Sequence, residues 1–186
     1  MSETKTFNRW MVARWSAAVT LLAIPAVAMQ FSDQVVWGPE DFIVAAVLLF
    51  GSLTAYEFVS RMNVDAAYRT GLAVGIGALF LLLWVNGAVG ITDGSADAAY
   101  LLVVAVAAVG ALVARFRPGG MAMAMWSAAI AMTVVGVVAL AAGLVPEFNS
   151  AFEVLGITAF FVLLFGGSAV LFREADKAAS HDRSAR

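Results

Sequence analysis

The sequence predicts an all-α membrane protein, a bundle of six transmembrane helices. Three observations carry this reading. The chain is 62% hydrophobic with a mean hydropathy of +0.91, well above the roughly 45–50% apolar content of soluble domains. Its apolar residues fall in six unbroken runs near the ~20 residues that a bilayer crossing needs. Its charges alternate in sign from one inter-run loop to the next. Continuous runs of this kind exclude a β-barrel, whose strands alternate polar and apolar residues.

Residues 1–9 are polar and carry Lys5 and Arg9, and the first run covers about 10–29. It holds Arg14 and Pro25, and Trp10 and Trp15 suit the membrane interface. Two readings stand for it, a retained helix or a cleaved signal peptide, because Ala26-Val27-Ala28 has the small-x-small pattern of a cleavage site. The second run, about 39–61, opens on Pro39, which lacks an N–H that the first helical turn would leave unpaired. Glu40 and Asp41 follow, where the helix dipole favours negative charge.

A polar link with Asn63 and Asp65 leads to the third run, about 69–91. Its Gly71-x-x-x-Gly75 spacing makes a small-residue face, suited to close helix approach or self-association. The fourth run covers about 97–117, and Pro118-Gly119-Gly120 breaks it. The fifth covers about 121–144 and the sixth about 151–172, so residues 10–173 form the transmembrane domain. Residues 174–186 are polar and read as a solvated helical extension or a loose tail.

Threading follows from the charges. With residues 1–9 in the cytoplasm and six crossings, Lys5, Arg9, Arg61, Arg69, Arg115, Arg117, Arg173, Lys177, Arg183 and Arg186 all fall on that side, with Arg14 just inside it. The opposite loops receive Asp33, Glu40, Asp41, Asp93, Asp97, Glu147 and Glu153 and no cation. The positive-inside rule therefore puts both termini in the cytoplasm.

Asp41, Asp97 and Glu153 are each 56 residues from the last, and so are Arg61, Arg117 and Arg173. Three helical hairpins repeated in parallel would give this spacing. Uniform helix length and the charge rule acting on short loops would give it too.

The absence of cysteine excludes disulfides, thiolate metal sites and cysteine nucleophiles, and the one histidine, His181, lies in the polar tail. No zinc pattern, phosphate loop or catalytic triad is present, so no metal, cofactor or catalytic residue is expected, and the reading leans away from an enzyme. A net charge of −2 gives no reason to expect a nucleic-acid partner. Met121-x-Met123-x-Met125 suits Cu(I) by chemistry, but only Met121 and Met125 share a helix face, so they read as core filling. Asp93-Gly94-Ser95-Ala96-Asp97 lacks the sixth-position glycine and distal Glu of a calcium loop and reads as a turn.

Glu57 is the one acid that threading does not explain. A carboxylate inside a membrane helix is a functional candidate by default. With Arg14, Arg69 and Tyr56 it would form an intramembrane polar cluster suited to proton or ion handling. Its shallow depth favours a structural ion pair instead, with Arg61 four residues on or with Arg14. Asn86, near the other end of the third run, is a candidate for an outer polar site or for a helix-to-helix hydrogen bond.

At Trp37-x-x-x-Asp41-Phe42, Tyr56-Glu57, Tyr68-Arg69, Trp84 through Ile91, and Ala114-Arg115-Phe116-Arg117-Pro118, the chain resembles small six-helix inner-membrane proteins of proteobacteria. It departs from their pattern at Thr92-Asp93-Gly94-Ser95, where a longer turn is expected. The resemblance covers most of the chain and implies a bacterial inner membrane, but no reaction and no catalytic residues. Two functions follow as expectations. One is a non-enzymatic membrane component such as a scaffold, assembly partner or complex subunit, contacting lipid and partner helices. The other is a small transporter or channel for an ion, proton or small solute.

Overall fold

A computed structural model of the chain describes residues 9–63, 65–88, 91, 97–144 and 150–184. The expected turn residues Asp93–Ala96, the outer-loop Glu147, Lys5 at the start and Arg186 at the end lie outside the described residues. All secondary structure among those described is helical: α1 (Arg9–Ala28), α2 (Pro39–Ser60), α3 (Ala66–Ala88), α4 (Ala98–Val113), α5 (Pro118–Ala141) and α6 (Ala151–Ser184). Five of these helices are long and apolar enough to cross a membrane, and α4 is shorter. The chain divides into two compact units, Met1–Ala55 and Tyr56–Arg186, with the boundary inside α2.

In the first unit, α1 continues through Pro25 to Ala28, so the small-x-small stretch is helical. The stacked rings of Trp15 and Phe50, with centroids 5.8 Å apart, join α1 to α2. Local sequence dictates the start of α2. The Gly38 N–H donates to the Asp41 carboxylate at 2.8 Å, the reach-back half of a capping box. Trp37 packs edge-on against Phe42 across the same turn, a hydrophobic staple.

In the second unit, α6 packs against both α3 and α5, α4 packs against α5, and α3 touches α4 lightly. The sequence of α6 explains its central position. Val154, Thr158, Phe161, Phe165, Ser168, Phe172 and Ala175 are buried, at alternating spacings of four and three residues. That 3.5-residue period keeps one seam facing its neighbours along the whole helix. It continues past Arg173 to Ala175, which is why the expected polar tail is an ordered extension of α6 as far as Ser184.

Helix association in lipid rests on close van der Waals packing, because lipid tails are as apolar as leucine. The small residues of this unit are placed for it. A Cβ on Gly71 would lie 3.1 Å from Leu171 Cβ and 3.2 Å from the Ser168 carbonyl. On Gly75 it would lie 2.9 Å from the Ser168 hydroxyl. The Gly-x-x-x-Gly face of α3 is therefore occupied by α6 of the same chain. Gly110 on α4 meets Ala124 on α5 in the same way, and Gly136 on α5 meets Thr158 on α6.

Three helix boundaries differ from the sequence expectation. The α3 helix starts at Ala66 because Asp65 caps it, accepting from the Tyr68 N–H at 2.8 Å. The α5 helix starts at Pro118, since proline suits the first helical position, so Gly119 and Gly120 are helical and break nothing. The α4 helix stops at Val113 because Arg115 (φ 49°) and Phe116 (φ 57°) turn left-handed. Its 16 residues rise only ~24 Å. Even so, it runs from the Asn86 end of α3 to the Tyr68 end, because hydrogen bonds tie it to α3 at both ends.

The equal 56-residue spacing joins residues in unlike settings. Asp41 and Glu153 are third residues of their helices and accept from backbone N–H groups three residues back, whereas Asp97 is the residue before α4 and accepts from Ile91. Arg61 follows α2, Arg117 precedes α5, and Arg173 lies within α6.

Candidate functional site

The ends of α2, α3, α4, α5 and the late part of α6 meet at one end of the second unit, where Arg69, Arg115, Arg117 and Arg173 flank the contacting residues. Tyr68, in the first turn of α3, is fully buried. Its hydroxyl donates to the Phe116 carbonyl at 2.7 Å, and its ring meets Phe172 of α6 edge-on at 5.0 Å. Tyr68 thus holds together α3, the α4–α5 turn and α6. That turn puts two successive non-glycine residues at positive φ, at an intrinsic cost of about 1–2 kcal/mol each. The Phe116 N–H donates back to Ala111 at 3.2 Å, closing the end of α4.

Asp176 sits where a Cβ on Gly119 would meet its carboxylate at 2.9 Å. The first turn of α5 thus has a carboxylate beside it, a favourable placement for the helix dipole.

The residues expected to form an intramembrane polar cluster take several roles. Arg69 is exposed, and its Nε donates to the carbonyls of Ser60 at 3.3 Å and Asn63 at 3.1 Å. A cation there satisfies carbonyls left open at the end of α2 and complements that helix's dipole. Glu57 is half-buried on the last turn of α2, and its carbonyl accepts from the Ser60 hydroxyl. Tyr56 packs its ring against the hydrophobic core. Arg14 lies half-buried on α1, in the first unit.

At the opposite end, the Asn86 amide donates to the Asp97 carbonyl at 3.0 Å, and the Ile91 N–H donates to the Asp97 carboxylate at 2.9 Å. These bonds close the connection from α3 to α4. Tyr100 is buried nearby, and its hydroxyl has no hydrogen-bond partner among the described residues.

Between the two ends the interior is apolar, with Leu72, Ala78, Leu82, Met125, Phe161 and Phe165 in one core. Met121 and Met125 are buried in this core and Met123 is exposed. Three buried polar side chains each donate to a backbone carbonyl: Ser60 to Glu57, Thr158 to Val154, and Ser168 to Gly71 at 2.7 Å. Among the described residues no three His, Asp or Glu side chains come together as a metal-ligand set.

Sequence reasoning passed over Tyr68 as a structural centre. The available signal was an aromatic residue with a polar tip in the first helical turn, three residues after a capping aspartate. No protein-family model, curated protein or solved structure matches the chain.

Proposed function

We propose that this chain is a non-enzymatic integral membrane component, a scaffold, assembly partner or subunit of a larger complex. In this reading it lies in a bacterial inner membrane with both termini in the cytoplasm, as the small proteobacterial proteins it resembles would. The observation that carries the proposal is the filled interior of the second unit. A transport route needs polar groups in succession along a path. Here Leu72, Ala78, Leu82, Phe161 and Phe165 occupy the interval between Tyr68 and Asn86. Ser60, Thr158 and Ser168 are engaged with backbone carbonyls rather than facing a channel.

The charge division supports the orientation. The end that carries Arg69, Arg115, Arg117 and Arg173 becomes the cytoplasmic end by the positive-inside rule. The bilayer is the first partner. A protein partner or a second copy would dock on a face other than Gly71 and Gly75, which α6 covers.

Purification of the full chain from its native membranes in mild detergent tests the proposal. A protein recovered at fixed stoichiometry supports it. The opposing result is a chain that purifies alone and conducts an ion or solute in vesicles, with Glu57→Gln abolishing the flux.

A further inference from the structure

The turn between α4 and α5 combines four features that threading alone does not require. Arg115 and Arg117 are exposed, and neither guanidinium makes a hydrogen bond or ion pair among the described residues. Three of the carboxylates brought to this end are engaged elsewhere. Glu174 pairs with Lys177 at 2.7 Å, Asp176 faces Gly119, and Asp65 caps α3. The turn is also held in one conformation, since Tyr68 fixes the Phe116 carbonyl while Arg115 and Phe116 keep positive φ. Glycine or asparagine would end α4 with less strain, so the residues present point to a use for their side chains.

The choice of arginine is informative. Insertion topology is set by positive charge, and lysine serves as well. The planar fork of arginine adds bidentate recognition of phosphate. Finally, Val109, Leu112 and Val113 are exposed on α4 directly before the turn, at spacings that share one helix face. An apolar strip leading to two unpaired guanidinium groups matches an amphiphile better than a free anion.

We propose that the Arg115–Arg117 turn is a binding site for an anionic phospholipid, its phosphate held by the two arginines and an acyl chain lying along Val109, Leu112 and Val113. This rests on the reading that the chain is embedded in a membrane. The two ideas fail separately. A chain stripped from membranes by alkaline carbonate overturns the membrane reading, whereas an inserted chain with no lipid preference overturns only the site.

Native mass spectrometry of the full chain, loaded with phosphatidylglycerol or with phosphatidylcholine of the same acyl chains, tests the site. The expected result is preferential retention of phosphatidylglycerol, reduced about fivefold for each arginine lost in R115Q/R117Q. R115K/R117K, which keeps the charge, loses most of the preference. R61Q/R183Q, which removes equal charge outside the turn, keeps it. Tyr68→Phe weakens it with every charge in place. The proposal is overturned if R115Q/R117Q or R115K/R117K retains phosphatidylglycerol as the native chain does, or if R61Q/R183Q loses as much as R115Q/R117Q. Displacement by millimolar glycerol 3-phosphate would mark a soluble-phosphate site and overturn it equally.

Discussion

The hydroxyl of Tyr68 donates to the carbonyl of Phe116 at 2.7 Å, joining the first turn of α3 to the left-handed turn that ends α4. Tyr100, the other fully buried tyrosine, has a hydroxyl with no partner among the described residues. The same substitution should therefore act in opposite directions at the two positions. Tyr68→Phe leaves a carbonyl without its donor and should destabilise by about 1–3 kcal/mol. Tyr100→Phe removes a buried polar group that bonds to no described residue and should be neutral or stabilising by up to ~1 kcal/mol. Thermal unfolding in detergent, followed by circular dichroism, compares the two.

Two glycines six residues apart on α3 give a second contrast. A Cβ on Gly71 would meet Leu171 and the backbone of Ser168 and Phe172, whereas Gly77 has nothing within 4 Å. Backbone atoms cannot rotate aside, so Gly71→Ala forces α3 and α6 apart and should cost about 1–3 kcal/mol. Gly77→Ala gains helix propensity and should be neutral or stabilising by up to ~1 kcal/mol. Equal midpoints for the two variants would contradict the α3–α6 seam.

Asp41 and Glu153 act as helix caps. The Ser150 N–H and hydroxyl both donate to Glu153, and the Glu153 N–H donates back to the Ser150 hydroxyl. Glu153→Ala should lower stability by about 0.5–2 kcal/mol, and Asp41→Ala by a similar amount. Arg61→Gln, beyond the end of α2, should fall within about 0.5 kcal/mol of the native chain. Chemical denaturation in mixed micelles gives the ranking. A larger loss for Arg61→Gln than for either acid would sink the capping account.

Much of this architecture was legible in the sequence. Run length and composition gave six helices, and Trp37-Gly-Pro-Glu-Asp-Phe marked the start of α2 with local chemistry alone. The Gly71/Gly75 spacing announced a close helix contact but not its partner, because a small-residue face carries no label for the helix that fills it. The buried seam of α6 was readable as a 3.5-residue period, yet the polar composition after Arg173 hid its continuation to Ala175. Left-handed φ at Arg115 and Phe116 had no local signal, since neither residue type prefers it, and a tertiary bond from Tyr68 fixes the turn. The candidate site was legible only in part. Asn86 was recognisable as a hydrogen-bonding residue, but its acceptor, the Asp97 carbonyl, depends on how the chain returns. Arg69 was placed beside Glu57 by depth alone, and its bonds to the Ser60 and Asn63 carbonyls depend on how the chain turns between α2 and α3.

The most direct test of the membrane reading uses the absence of cysteine from the chain. Ser150 and Ser184 are both exposed, just before α6 and at its far end. Single variants Ser150→Cys and Ser184→Cys, expressed in bacterial cells, are exposed to a membrane-impermeant maleimide before and after the inner membrane is permeabilised. A chain threaded with both termini in the cytoplasm labels at Ser150→Cys in intact spheroplasts and at Ser184→Cys only after permeabilisation. Labelling of both positions from the same side would contradict it.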